Sequence, residues 1–236
     1  GFDQVPFDNL NELRNAITKE TAGIIVEPIQ GEGGIRPSNV GFLKGLREAC
    51  DDFGLLLIFD EVQTGIGRAG SLFAYENFGV EPDVMSLAKG LGGGFPVGAC
   101  LASEKAAVGI TPGTHGSTFG GNPLAMAVAN SVIDALQEDG FLAGVREIGE
   151  LLFATMEKFS SDHQGAFEGV RGAGMMIGLK CICPVGDFVT ACREEGLLTV
   201  PAGDNVMRLL PPLIINEKHI SECVEMMGRA WGKLQE

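Results

Sequence analysis

The sequence has no excess of bases, no CxxC pair, no apolar run of membrane-spanning length and no P-loop signature. Each absence removes a class of function. Seventeen Lys and Arg stand against 31 Asp and Glu, a formal charge of −14. That balance provides no basic stripe of the kind a phosphate backbone requires, so no nucleic-acid partner is expected. Cys50, Cys100, Cys181, Cys183, Cys192 and Cys223 are scattered through apolar or helical contexts, and no two of them form a CxxC pair. Reduced core thiols are expected, and no metal site. No stretch approaches the roughly 20 apolar residues that cross a bilayer, and GFDQVPFDNL lacks the basic and apolar regions of a signal peptide. The expectation is a cytoplasmic protein that does not bind membranes. The glycines after Lys89 are not completed by GK[ST], which removes the P-loop.

What is present is a globular composition. With 236 residues, 45% of them hydrophobic, the chain can bury one large core or two smaller ones. Two apolar runs end in ionisable residues. Leu55, Leu56, Leu57, Ile58 and Phe59 are apolar at every position, which predicts a strand buried on both faces of a parallel sheet, and Asp60 closes it. Val84 to Ala88 is a second, less pure run, closed by Lys89 and a glycine-rich turn. Open α/β sheets bind ligands just past the carboxyl ends of their strands. A carboxylate and an amine delivered there by neighbouring strands would need buried partners, and a cationic heterocycle for Asp60 with a carbonyl for Lys89 would supply both.

The flanking pattern is that of βαβ units. Asp8 or Asn9 is placed to cap a short helix bearing Leu10, Leu13 and Ile17. AGIIVE reads as a strand ending at Glu27, PIQGEGGIRPSN as a turn-rich loop containing Glu32, and FLKGLREACDDFG as a crossover helix stopped by Gly54. Phe95 to Ala102 reads as a strand. TPGTHGSTFGGN, residues 111–122, is a hydroxyl-rich loop suited to phosphate, ahead of a helix capped by Asn122 with Pro123 at its first position. A domain boundary is placed at residues 139/140. Beyond it a helical stripe runs from Phe141 to Phe159, residues 169–181 read as a strand, 187–195 as a helix, 197–200 and 206–210 as strands, and a final helix starts near Glu217. That mixture predicts a smaller α+β domain over 140–236. Arg208 is the one charge inside VMRLLPPL, and guanidinium geometry suits a bidentate clamp on a carboxylate.

Gly65, Gly67 and Gly70 spell GxGxxG behind a strand, the signature of a dinucleotide site. Five residues, Asp60 to Thr64, separate the strand from the first glycine, and two of them are carboxylates standing where a pyrophosphate would approach. An NAD-dependent oxidoreductase is therefore disfavoured.

Five segments, VEPIQGEGG (26–34), LLIFDEVQTGIGRAG (56–70), SLAKGLGGGFPVGA (86–99), GTHGSTFGGNPLA (113–125) and VMRLLPPL (206–213), carry a resemblance. The chain resembles the class III pyridoxal phosphate (PLP) aminotransferases of fold type I, most closely their acetylornithine branch. The resemblance implies an α/β fold with a mainly parallel sheet and flanking helices, residues 1–139 forming the later part of the large PLP-binding domain, and a small C-terminal domain over 140–236. It implies that Lys89 carries PLP covalently and moves protons, that Asp60 pairs with the pyridine nitrogen, and that Gln63 meets the phenolic oxygen. Thr118, beside Ser117, would reach the cofactor phosphate of a partner subunit, which implies a homodimer with a shared active site. Arg208 would hold a substrate carboxylate, and Glu32 would pair with a substrate-binding arginine and change partners between half-reactions. His115 is given a positional role.

The reaction implied is transamination of N2-acetylornithine with 2-oxoglutarate, giving N-acetylglutamate 5-semialdehyde and glutamate in arginine biosynthesis. Ornithine, succinylornithine, 4-aminobutyrate and other ω-amines stay open as donors, since a carboxylate clamp does not separate them. The family's chains begin well before the position of Gly1. The chain is therefore expected to be a fragment without the family's N-terminal phosphate turn, ring-stacking aromatic residue and second substrate arginine, and an inactive fragment that needs a complementing segment is the alternative of different class.

Overall fold

A computed structural model describes residues 1–235. In chain order the elements are α1 (Leu10–Ala16), β1 (Gly23–Val26), β2 (Ile29–Gln30), β3 (Arg36–Pro37), α2 (Val40–Phe53), β4 (Leu56–Asp60), α3 (Tyr75–Phe78), β5 (Val84–Leu87), β6 (Ala99–Ala102), α4 (Glu104–Ala107), α5 (Pro123–Leu136), α6 (Phe141–Asp162), β7 (Phe167–Ala173), β8 (Met176–Cys181), α7 (Val185–Glu194), β9 (Val200–Ala202), β10 (Val206–Leu209) and α8 (Glu217–Lys233). They form two compact units. The first comprises Gly1–Pro28, Ser38–Ile66 and Leu72–Glu138; the second comprises Ile29–Pro37, Gly67–Ser71 and the chain from Asp139 on.

The first unit is built on a four-stranded sheet of order β1-β4-β5-β6, in which β1, β4 and β5 are parallel and β6 is antiparallel. Its helices start and stop where the sequence dictates. Asn9 caps α1 by accepting from the Glu12 N–H, Asn39 caps α2, and Gly54 ends α2 in the left-handed conformation that glycine adopts without strain. Phe42, Leu43, Leu46 and Cys50 of α2 pack with Leu57 and Phe59 of β4, all of them buried. The expectation that β4 is buried on both faces holds for one face only. Leu57 and Phe59 are sealed, whereas Leu56, Ile58 and Asp60 on the opposite face are only half-buried. All four residues of β6 are exposed, and Phe95–Gly98, expected as strand, precede it without ladder pairing.

The second unit has an antiparallel sheet of order β7-β8-β10-β9. The odd-numbered residues Ile177, Leu179 and Cys181 of β8 and Met207 and Leu209 of β10 face a core with Met156 and Phe159 of α6, Phe188 of α7 and Met227 of α8. The single strand expected over 169–181 is a hairpin, β7 and β8. The turn falls at Gly174, with φ of 54°, and a Cβ there would stand 2.6 Å from the Ala69 backbone carbon and 2.7 Å from the Arg68 carbonyl oxygen, so only glycine fits. The loop expected over 28–39 contains a second hairpin, β2 and β3, because Ile29 and Ile35 are both fully buried and draw the segment into register. Among the described residues no helix is long and apolar enough to cross a membrane.

Candidate active site

In the first unit Asp60 lies directly opposite Ser86 in the parallel β4–β5 ladder. Asp60 is the last residue of β4, and Lys89 stands two residues beyond the end of β5, opening a 3-10 turn over Lys89–Gly92. The carboxylate and the amine are thus delivered to the same end of adjacent parallel strands, the edge at which open α/β sheets take ligands. Asp60 accepts two hydrogen bonds, from the Val62 backbone N–H and from the Ser86 hydroxyl, each 3.0 Å long and both on Oδ1. Lys89 is exposed and its backbone is left-handed, φ 45°, a conformation that costs a residue with a Cβ.

Gln63 follows in the turn after β4 and is half-buried. Ser117 and Thr118 stand in the exposed loop of residues 111–121, where the Ser117 hydroxyl accepts from the Gly120 N–H at 2.9 Å. His115 is exposed in the same loop.

The acid next to Asp60 behaves oppositely. Glu61 is 1% exposed and accepts from the N–H groups of Ala74 and Tyr75 at 2.6 and 2.8 Å and from the Thr64 hydroxyl at 3.3 Å. Its carboxylate ties the entry of α3 to the end of β4, which fixes the backbone on which Asp60 sits. Burial raises its pKa against the opposing pull of these donors. The folded form therefore holds the proton more tightly than the unfolded chain, and from this group alone stability falls as pH rises from the ordinary carboxylate range through the raised value. Glu61→Ala orphans a buried backbone donor at Ala74 and a part-buried one at Tyr75, and a loss of about 3 kcal/mol is expected, read as a lower urea midpoint at unchanged m-value.

In the second unit Arg208 sits at the centre of β10, paired with Gly178 of β8 and Val200 of β9. Its side chain is on the face away from the helices and is 4% exposed, whereas that of Glu32 is 73% exposed. The two groups form a fork: Nη1 donates to Glu32 Oε1 at 2.7 Å and Nη2 to Oε2 at 3.1 Å, and Nη2 also donates to the Pro201 carbonyl at 3.1 Å. The β2–β3 hairpin that carries Glu32 is held over this face by the Gly203 N–H donating to the Glu32 carbonyl at 2.8 Å and by Arg171 Nε donating to the Gly34 carbonyl at 2.7 Å. Gly178 admits it, since a Cβ there would stand 2.8 Å from Ile35.

A sequence profile of class-III aminotransferases matches residues 3–231. The chain belongs to that family. Among curated members of the class-III aminotransferases, it is 55% identical over 224 residues to the acetylornithine aminotransferase of Mesorhizobium japonicum, covering 95% of this chain and 56% of the relative. It is 55% identical over 230 residues to acetylornithine aminotransferase 1 of Bradyrhizobium diazoefficiens, covering 98% and 57%. Among solved class-III structures, N-acetylornithine aminotransferase from Stenotrophomonas maltophilia superposes with a TM-score of 0.87 at 36% identity, covering 98% of this chain and 62% of that one. Ornithine aminotransferase from Toxoplasma gondii ME49 superposes with a TM-score of 0.92 at 32% identity, covering 100% and 57%. The fold is accordingly that of the fold type I aminotransferases, and the chain spans a little over half the length of the curated relatives it matches.

Three residues of this class-III chain that brace the candidate residues within their own units did not stand out in the sequence. Ser86 is the only polar residue of β5, a signal hidden by reading the run as merely impure. Glu61 was indistinguishable from a second site carboxylate. Arg68, within the misleading glycine pattern, donates through Nη1 to the carbonyls of Met175 and Pro211 at 3.0 and 2.6 Å, and burial lowers its pKa to about 10. Pro211 lies three residues past Arg208, so Arg68 braces the chain just beyond the strand that carries Arg208.

Proposed function

We propose that the chain carries the lysine, ring acid and carboxylate clamp of a PLP-dependent transamination whose amino donor is N2-acetylornithine and whose acceptor is 2-oxoglutarate. The observation that carries this reading is the placement of Asp60 and Lys89 at the same end of adjacent parallel strands. The residues fit the cofactor: Asp60 takes its two donors on Oδ1, which leaves Oδ2 to face a protonated ring nitrogen, and Lys89 presents an exposed amine beyond the neighbouring strand. Bound PLP would supply an aldehyde that takes up the substrate nitrogen and a ring that accepts the electrons of the breaking C–H bond.

The chain's own residues do the rest. Asp60 holds the ring nitrogen protonated. Lys89 Nζ would hold the cofactor covalently and, when free, would carry the proton lost by the carbon that bears the substrate nitrogen. The Gln63 amide donates to the phenolic oxygen. Ser117 and Thr118 are assigned to a phosphate in a homodimer, a reading supported by their exposure in a hydroxyl-rich loop. Arg208 grips a substrate carboxylate, and Glu32, already forked onto it, occupies the clamp when no such ligand is present.

The donor assignment is supported by the names of the curated relatives; ornithine stays the second reading because solved ornithine aminotransferases superpose equally well. The same names support a place in arginine biosynthesis. Residues 1–139 are read as the later part of the large domain and 140–236 as the small domain, with the Glu32 hairpin and residues 67–71 packed in the latter unit.

The test is reduction with borohydride in the presence of PLP, followed by peptide mapping. A pyridoxyl adduct on Lys89 is the expected result, and an adduct spread over surface lysines, or none, would overturn the cofactor assignment. An amino-donor panel then ranks N2-acetylornithine against ornithine and 4-aminobutyrate.

A further inference from the structure

We propose that Ser86 is the positioning residue for Asp60: its hydroxyl, with the Val62 N–H, locks the carboxylate so that Oδ2 is presented to the ring nitrogen of the cofactor. The inference rests on the PLP reading above and adds a residue to it.

Four observations within the first unit carry it. Ser86 faces Asp60 directly in the ladder, and its Oγ donates to Asp60 Oδ1 at 3.0 Å. Its carbonyl accepts from the Glu61 N–H at 3.1 Å, so one residue holds both the backbone and the side chain at the end of β4. Both donors to Asp60 converge on a single oxygen. Finally, serine is a poor fit to a strand whose other members are Val84, Met85 and Leu87; a hydroxyl at a half-buried position needs an acceptor, and Asp60 is the one it has.

The physical role follows from geometry. A lone aspartate at a strand end turns about two side-chain bonds and spreads its charge over several directions. Two donors on one oxygen remove that freedom before any ligand arrives, so the ordering cost is not met at binding. A hydrogen bond to a charged group is also among the stronger ones in a protein. Ser86 touches neither substrate nor ring in this scheme; it acts through Asp60, three residues ahead of the lysine on the same segment.

The test compares Ser86→Thr with Ser86→Val. The two variants have the same shape and differ only in the hydroxyl, so a purely structural role for the side chain predicts the same behaviour from both. PLP affinity of the cofactor-free protein is measured by equilibrium dialysis. The Asp60 side-chain rotamer is measured without cofactor by NMR scalar couplings, with the signal assigned through Asp60→Asn. Ser86→Thr is expected to bind PLP within a factor of about two of the parent and to keep one Asp60 rotamer. Ser86→Val is expected to bind about tenfold more weakly and to show averaged couplings. Equal affinity of the two variants, or a single Asp60 rotamer in Ser86→Val, overturns the proposal. If the parent itself fails to take up PLP, the cofactor reading falls, while the coupling measurement still decides whether the hydroxyl fixes Asp60.

Discussion

Replacing Lys89 with Ala is expected to abolish the borohydride-stable PLP adduct at that position and to lower transamination at least about 10⁴-fold, while leaving folding stability within about 0.5 kcal/mol of the parent. The two halves of this expectation come from different properties of the same residue. On the proposed reading the chemistry is lost because the amine is both the covalent anchor and the proton carrier. The fold is expected to be kept because Lys89 is exposed. Adduct mapping is the primary readout, since the chain spans just over half of its curated relatives.

The backbone makes a sharper version possible. Lys89 holds φ at 45°, where the Cβ of an L-residue is penalised, and alanine at that position bears the same cost. Glycine does not. Lys89→Gly is expected to be as inactive as Lys89→Ala yet more stable than either, by about 1 kcal/mol in a urea titration. A residue that strains the turn it occupies is what a chemical rather than a structural constraint at this position would produce. Equal stability of the alanine and glycine variants would remove the argument that strain is stored at this turn.

The parts of this fold that were legible in the sequence are those in which local pattern and tertiary packing agree. The β4 run with its terminal acid, helix α2 between Asn39 and Gly54, and α5 behind Asn122-Pro123 all carry caps or stops in their own residues, and the observed elements fall within a residue or two of the expected ones. Two hairpins were illegible for opposite reasons. In GVRGAGMMIGLKC the apolar content is continuous, so the turn at Gly174 was hidden inside what read as one long strand; a run of 13 residues, against a usual strand of about five or six, was the available clue. In PIQGEGGIRPSN the glycines spoke for a loop, and the burial of Ile29 and Ile35 that makes it a hairpin comes from contacts with residues about 140 positions away, such as Gly178, which no local window contains.

The candidate site follows the same rule. Asp60 and Lys89 were visible because each ends an apolar run. Ser86, Glu61 and Arg68 were not, because what distinguishes them is the partner each finds: an acid on the next strand, the N–H groups of Ala74 and Tyr75, and the carbonyls of Met175 and Pro211. The residue types alone do not separate the carboxylate that ends the strand from the one that braces a helix.

For the clamp, Arg208→Lys is expected to raise KM for the dicarboxylate acceptor about 10- to 100-fold with a much smaller change in kcat. Arg208 reaches Glu32 through both terminal nitrogens and the Pro201 carbonyl through one of them, a planar fork that an ammonium cannot reproduce. Its 4% exposure against 73% for Glu32 says which partner is fixed and which can leave. On the proposed reading the glutamate is the replaceable half: its carboxylate sits on an exposed hairpin turn, and a substrate carboxylate can offer the same two oxygens. Glu32→Ala should therefore move the acceptor KM in the opposite direction, downward, by removing the resident competitor. Arg208→Ala would not make the same point, because it leaves a cavity in the middle of β10 and confounds binding with folding. The pair of conservative changes keeps the two apart. A lysine variant with unchanged KM, or a Glu32→Ala variant whose acceptor KM rises, would mean that the fork is a structural tie between the β2–β3 hairpin and β10, and that the substrate carboxylate is held elsewhere.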